Sequence, residues 1–124
     1  SMALNTKIYD VLRNSSSIST LTGTRIYPVM VPQDNVTFPA VVYTKVSADG
    51  FYALDGYCGK ERARYGIDII STDHDQARTI AEAVHTAMTG STAFACIRVA
   101  DGDAYDADYE IYLVNQIYSI IGGT

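Results

Sequence analysis

Between Ala63 and Ile69 the apolar side chains Ala63, Tyr65, Ile67 and Ile69 recur every second residue, with Arg64, Gly66 and Asp68 between them. A period of two is that of a half-buried strand. The period then changes. Ala77, Ile80, Ala81, Val84, Ala87 and Met88 recur at helical spacing, while Arg78, Glu82 and His85 fall largely off their stripe. A helix with one apolar stripe must bury it against another element. Thr72 or Asp73 can accept from the free N–H groups of the first turn, and Gln76, three residues after Asp73, has the spacing of a capping box. Gly90 supplies the stop. The stretch from Glu61 to Gly90 thus predicts one strand feeding one helix, whose stripe covers a sheet built by the rest of the chain.

The remaining pattern supplies that sheet. Ala3 to Arg13 predicts a first helix, with Leu4, Ile8, Val11 and Leu12 on one side and Asn5, Lys7 and Asp10 on the other. The polar run Asn14 to Ser17 ends it, and Ile18, Leu21 and the Thr-Gly-Thr turn at 22–24 form a short connection with room for another helical turn. Arg25 to Val31 is extended. Pro28, Pro32 and Pro39 remove backbone donors, which places this part at an edge or in an open loop. Ala40 to Val46 is a strand with Val41, Tyr43 and Lys45 on one face and Val42, Thr44 and Val46 on the other.

Ser47 to Lys60 is expected to be a long loop, containing Phe51, Tyr52, Leu54 and Tyr57 beside three glycines. An apolar, glycine-bearing loop suits docking on another subunit; the plainer reading folds it over its own sheet. Ala93 to Ala100 and Tyr109 to Ile121 predict two further strands. The last has Ile111, Leu113 and Ile117 on one face and Tyr112, Val114 and Tyr118 on the other, so it is either central or has a second face that meets another subunit. The sum is one α+β domain over residues 1–124: an antiparallel sheet of about four strands with two helices packed on one face.

Composition narrows the function classes. The 124 residues suffice to bury roughly two-thirds of the surface of the unfolded chain. A net charge of −5, with only nine scattered Lys and Arg, argues against a nucleic-acid grip that works by neutralising phosphates. No apolar run approaches ~18 residues and no charged segment precedes an apolar one, so neither a membrane span nor a signal peptide is expected. A bacterial-type cytosol is the expected place of synthesis. Ser1 before Met2 reads as a cleavage remnant. Cys58 and Cys96 are too few and too far apart for a zinc site, and a reducing compartment argues against a disulfide. Ten Tyr with no Trp fit either a contact-rich surface or strand positions.

Several short stretches, in their order, resemble a known family: Leu21-Thr-Gly-Thr-Arg-Ile-Tyr-Pro28, Val31-Pro-Gln33, Phe38-Pro-Ala-Val-Val-Tyr43, Leu54-Asp-Gly56, then a strand and a helix that opens near Asp75-Gln-Ala77 and closes near Met88. The pattern resembles the tail completion proteins of long-tailed bacteriophages, also called tail-to-head joining proteins. Cys58 and Ile70 depart from it. The resemblance implies a fold similar to tail terminator proteins, which form sixfold rings at the head-proximal end of the tail tube. It also implies a structural protein of the virion tail, held in the host cytoplasm before assembly. Its expected partners are copies of itself in a ring, the tail tube protein and head-tail connector proteins. DNA would be only a passing cargo, and no membrane is involved. No catalytic residue, cofactor or metal is implied. Phe51, Tyr52, Leu54 and Tyr57 become candidate subunit or tail contacts. The competing reading is a small cytosolic α+β enzyme or ligand-binding domain with a pocket under the 47–60 loop.

Two local features invite chemistry. Asp101, Asp103, Asp106, Asp108 and Glu110 put five carboxylates into ten residues at an expected turn. Calcium takes such oxygens, but Tyr105 and Tyr112 occupy positions where a calcium loop of the EF-hand type needs acids. A solvated hairpin tip is the simpler reading. A third is an acidic lumen formed by Asp101, Asp103, Asp106 and Asp108, since like charge keeps passing DNA from sticking. His74 between Asp73 and Asp75, with Cys58 or a serine as nucleophile, resembles part of a catalytic set. Helix caps look the same, and no G-x-S-x-G sequence is present. His85 reads as a helix-flank residue.

Overall fold

A computed structural model describes residues 2–32, 37–53 and 56–123, with side chains described over 4–32, 37–47 and 62–122. In chain order the elements are α1 (Met2–Asn14), α2 (Ser16–Thr22), β1 (Ile26–Pro28), β2 (Ala40–Ala53), β3 (Gly56–Ser71), α3 (His74–Thr89), β4 (Ala95–Asp106) and β5 (Ile111–Gly123). The five strands form one sheet in the order β1-β2-β3-β5-β4. It is antiparallel except where β1 lies parallel to β2. The fold is α+β, as expected, with one strand and one helix more than the hydrophobic pattern implied.

The core lies between the three helices and one face of the sheet. Ala63, Tyr65, Ile67 and Ile69 all point into it, as their alternation requires. From α3 come Ala77, Ile80, Ala81, Val84 and Met88, each fully buried. Burying a side chain the size of Ile80 or Met88 stabilises by about 1.5–3 kcal/mol, so this stripe is a principal source of cohesion. From α1 come Leu4, Ile8 and Leu12, and the Tyr65 hydroxyl donates to Asn5 Oδ1 at the edge of that contact.

The extra helix has local causes. Ser15 precedes α2 in an extended conformation, and Gly23 ends it at φ +59°, a region that favours glycine, with its N–H on Ser19 O at 2.8 Å. Ile18 is buried, and the buried Thr22 hydroxyl donates back to Ile18 O at 3.0 Å. The extra strand is β1. Pro28 closes it at the sheet edge, where a missing donor costs least.

The start of α3 differs from a reciprocal capping box. Asp73 Oδ1 accepts from Asp75 N–H at 3.0 Å, but Gln76 does not return to Asp73. Asp73 N–H donates to Ser71 Oγ at 3.1 Å, and the Ser71 hydroxyl donates to Gln76 Oε1 at 2.7 Å. The buried serine at the end of β3 thus relays the cap and fixes the angle between strand and helix.

Residues 47–53 and 56–60 are strand, not the expected loop. β2 continues to Ala53 and β3 begins at Gly56, with Asp49 opposite Arg62, Tyr52 opposite Tyr57 and Ala53 opposite Gly56. The pairing shifts register between Lys45 and Ser47 and again between Gly50 and Tyr52. Glycine density and broken alternation are what bulges impose on a sequence, and here they mark a kinked hairpin.

Candidate functional site

The hairpin of β2 and β3 forms an arm. β5 runs beside β3 only from Ser71 to Lys60, where Lys60 lies opposite Gly123. Residues 56–59 and their β2 partners therefore extend past the last described residue of β5. The backbones of Phe51, Tyr52 and Tyr57 belong to this arm; their side chains, and Leu54 altogether, lie outside the described residues.

The carboxylates sit at the opposite end of the sheet, but not all on a turn. β4 runs on through Asp101 and Asp103 to Asp106, so Asp101 pairs with Gln116 and Asp103 with Val114. This places both acids on the helix-bearing face, where Arg78 of α3 meets them. Arg78 Nη1 donates to Asp101 Oδ1 and to Asp103 Oδ1, each at 3.1 Å, and Nη2 donates to Asp101 Oδ2 at 3.0 Å and to Glu82 Oε1 at 3.3 Å. Arg98 adds a longer ion pair to Asp101 at 3.7 Å. The Arg78 hydrogen bonds hold the Asp101 carboxyl below its ordinary value, and Arg78 is raised in turn. The expected acidic turn is corrected accordingly: the guanidinium, invisible at strand spacing, pairs with both Asp101 and Asp103. Only Asp106 and Asp108, with Glu110, belong to the tip. Asp106 Oδ1 accepts from the N–H groups of Asp108 and Tyr109 at 2.9 and 3.2 Å, so it caps the turn.

His74 opens α3, with Nε2 3.4 Å from Asp103 Oδ2 and its ring 5.5 Å from that of Tyr112. Asp73 is engaged as the cap. His85 stacks on Tyr118 with ring centroids 6.4 Å apart. The Cys96 thiol is half-buried, and burial pushes it up to about 12, far from a reactive thiolate. Among the described residues no group of three or more His, Cys, Asp or Glu is arranged to hold a metal ion. An open cleft of about 920 Å³ lies between α1, α2 and α3, lined by residues such as Lys7, Asp10, Asn14 and Thr86; the expected pocket under residues 47–60 falls where side chains lie outside the described residues.

The sheet's other face, which the two apolar faces of the last strand allowed for, carries exposed apolar residues. Val46 on β2 and Ile97 and Val99 on β4 are 59%, 64% and 41% exposed. Ile121 of β5 is 37% exposed. The signal was present in the alternation of β4, where Ile97 falls out of phase with the core-facing residues.

The chain matches the family described as Tail completion protein gp17 over residues 6–121. Its fold is similar to that of a chain in the virion of the native gene transfer agent (GTA) particle, with a TM-score of 0.73 at 16% identity, covering 94% of this chain and 92% of that one. A protein from Akkermansia muciniphila solved without its transmembrane region aligns at a TM-score of 0.36 and 10% identity over 65% of this chain and 44% of that one, too low a score to carry an argument. No curated protein matches in sequence. Among the described residues no helix is long and apolar enough to cross a membrane. With a family match spanning nearly its whole length, the chain belongs to the Tail completion protein gp17 family, structural proteins of tail assembly.

Proposed function

We propose that this protein is a ring subunit that joins or terminates the tail tube of a long-tailed phage or prophage at its head-proximal end. The observation that carries the reading is the family match across residues 6–121. Copies of the chain would close into a ring, sixfold as the resemblance implies, between the tail tube protein and the head-tail connector. The arm, with Phe51, Tyr52, Leu54 and Tyr57 in its sequence, is the element that contacts a neighbour or the tube. The tip bearing Asp106 and Asp108 faces the DNA path, where negative charge lets the duplex slide.

The test is genetic and visual. Deleting the gene is expected to leave filled heads and separate tails in lysates, and supplying the protein in trans restores joined particles. Normal joining in the deletion strain contradicts the proposal. To test the arm separately, residues 50–61 are replaced by Asn-Gly, which closes Asp49 against Arg62 with a two-residue turn. The fold is expected to persist while incorporation into tails is lost.

A further inference from the structure

The two strands that meet at the acidic tip place two tyrosines side by side. Tyr105 of β4 lies opposite Tyr112 of β5, with ring centroids 4.7 Å apart and ring planes tilted by 49°. Alternation from the buried Val114 puts Tyr112 on the helix-bearing face, and its cross-strand partner Tyr105 follows it there. On its other side Tyr112 lies opposite Ser71, the last residue of β3. Ser71 holds the start of α3 through Asp73 and Gln76, and the His74 ring arrives 5.5 Å from that of Tyr112. His74, Asp103, Ala104, Tyr105 and Tyr112 together line an open hollow of about 400 Å³. Its most open ring is Tyr105, 53% exposed. Tyrosine is among the side chains that carry most of the binding energy in protein contacts, and its ring presents a negative face.

Charge selects what fits there. Asp73 and Asp75 flank His74, and Asp106, Asp108 and Glu110 lie in the turn that joins Tyr105 to Tyr112. Asp75, Asp108 and Glu110 form no ion pair among the described residues. The nearby cation, Arg78, is shared among Asp101, Asp103 and Glu82. A hollow bordered by one sign of charge focuses its field, draws a cation and repels an anion. Asp103 is already engaged by Arg78 and by His74, so it walls the hollow and leaves the contact to the rings. A cation within about 6 Å of a ring centroid is held by the ring's own charge distribution. Arginine suits this place best, since its flat guanidinium stacks on an aromatic face.

The arginine has to come from a different protein. Within this chain Arg25, Arg78 and Arg98 are engaged by Pro39 O, Asp101 and Asp101 respectively, and Lys45 and Arg62 are not free either. Two copies, each with a net charge of −5, also repel one another. A basic partner meets no such barrier, because opposite charge steers it toward the acidic end of the sheet.

We infer that the hollow between the start of α3 and the tip-side ends of β4 and β5 docks an arginine side chain of a basic partner protein, its guanidinium stacked on the Tyr105 ring with Tyr112 beside it. The carboxylates of the tip and of the helix start bring the partner in, and the rings hold it. This contact goes beyond the tail-joining role and does not depend on it.

The test is an NMR titration of the full chain with the blocked tripeptide acetyl-Gly-Arg-Gly-amide, set against the same peptide carrying citrulline, the uncharged isostere of arginine, at fixed ionic strength. The arginine peptide is expected to shift the amide signals of His74, Tyr105 and Tyr112 in a saturable way, with its own side-chain methylene protons moving upfield over the ring, while the citrulline peptide does neither. Tyr105→Leu keeps every charge and an apolar side chain but removes the ring, and is expected to weaken binding roughly two- to fivefold. Tyr105→Phe, which keeps the ring, is expected to bind as the wild type does. Equal binding of the two peptides overturns the inference, as does undiminished binding to Tyr105→Leu, which would leave charge alone as the cause. Shifts of the same three signals on raising the protein concentration without peptide also overturn it, since the occupant is then a second copy. Should Tyr105→Leu fail to fold, the peptide's methylene protons decide on the wild-type chain: binding without an upfield shift rules out stacking. The titration involves no particle, so its failure leaves the tail-joining reading standing, and normal joining without the gene leaves this contact standing.

Discussion

Arg78 on α3 holds Asp101 on β4 through two parallel hydrogen bonds, Nη1 to Oδ1 at 3.1 Å and Nη2 to Oδ2 at 3.0 Å. With side-chain exposures of 30% and 25%, the pair is partly shielded. The same guanidinium reaches Asp103 and Glu82, so Arg78→Ala leaves three carboxylates facing one another. A loss of about 1 kcal/mol is expected, the upper end for pairs that water still reaches. Because the Asp101 carboxyl lies below its ordinary value of 3.8 when folded, the stability it contributes is fully present above that value and is lost as pH falls through the depressed one. Thermal melts of wild type and Arg78→Ala should differ at neutral pH and converge well below pH 3.8. A difference that persists in acid would show that the guanidinium acts by packing.

The phase of α3 is tested by charge insertion. Ile80 and Val84 are fully buried, whereas the Glu82 side chain is 60% exposed. Ile80→Asp or Val84→Asp is expected to destabilise by about 3–5 kcal/mol, since an unpaired charge enters the contact of helix and sheet. Glu82→Ala should cost about 0.3–0.5 kcal/mol, the value of its i,i+4 pair with Arg78. Chemical denaturation of the three variants checks the order; equal midpoints would contradict the packing described.

Beneath that helix is a small buried polar chain. The Tyr118 hydroxyl donates to Gln116 Oε1 at 2.6 Å, and Gln116 Nε2 donates to Ala81 O at 3.3 Å, with both side chains fully buried. Tyr118→Phe leaves the Gln116 oxygen without that donor and is expected to cost about 1–3 kcal/mol. Removing both partners in Gln116→Leu with Tyr118→Phe should cost less than the two single losses added together. Strict additivity in denaturant melts would mean that the hydrogen bond contributes nothing.

The parts of the fold that were legible in the sequence are those with an undisturbed period. Tyr65, Ile67 and Ile69, and the α3 stripe from Ala77 to Met88, point where their spacing says. Short elements were harder: α2 has seven residues and β1 three, too few to establish a period. The arm was hidden because its bulges break alternation at the glycines of residues 50–59. The acidic segment was misjudged for a different reason. Asp101 and Asp103 alternate with Ala100, Gly102 and Ala104 as a strand should, but polar residues on the inner face made sense only once Arg78, 23 positions away from Asp101, arrived from the helix.

That arrangement also sets an expectation for calcium. With Asp101 and Asp103 committed to Arg78 and Asp106 capping its own turn, few oxygens are left to converge on a cation. Millimolar Ca²⁺ is expected to leave the melting temperature unchanged. A site at a hundredfold excess over its Kd would stabilise by about 2.7 kcal/mol, a rise of several degrees that a single melt would reveal.

Location in the particle tests the central claim most directly. Purified tails carrying the protein with a small epitope after Thr124, imaged by electron microscopy with labelled antibody, should show label at one end only, the end that meets the head, with ring density there that vanishes when the gene is deleted. Label spread along the tube, or the same ring density without the gene, would contradict the account.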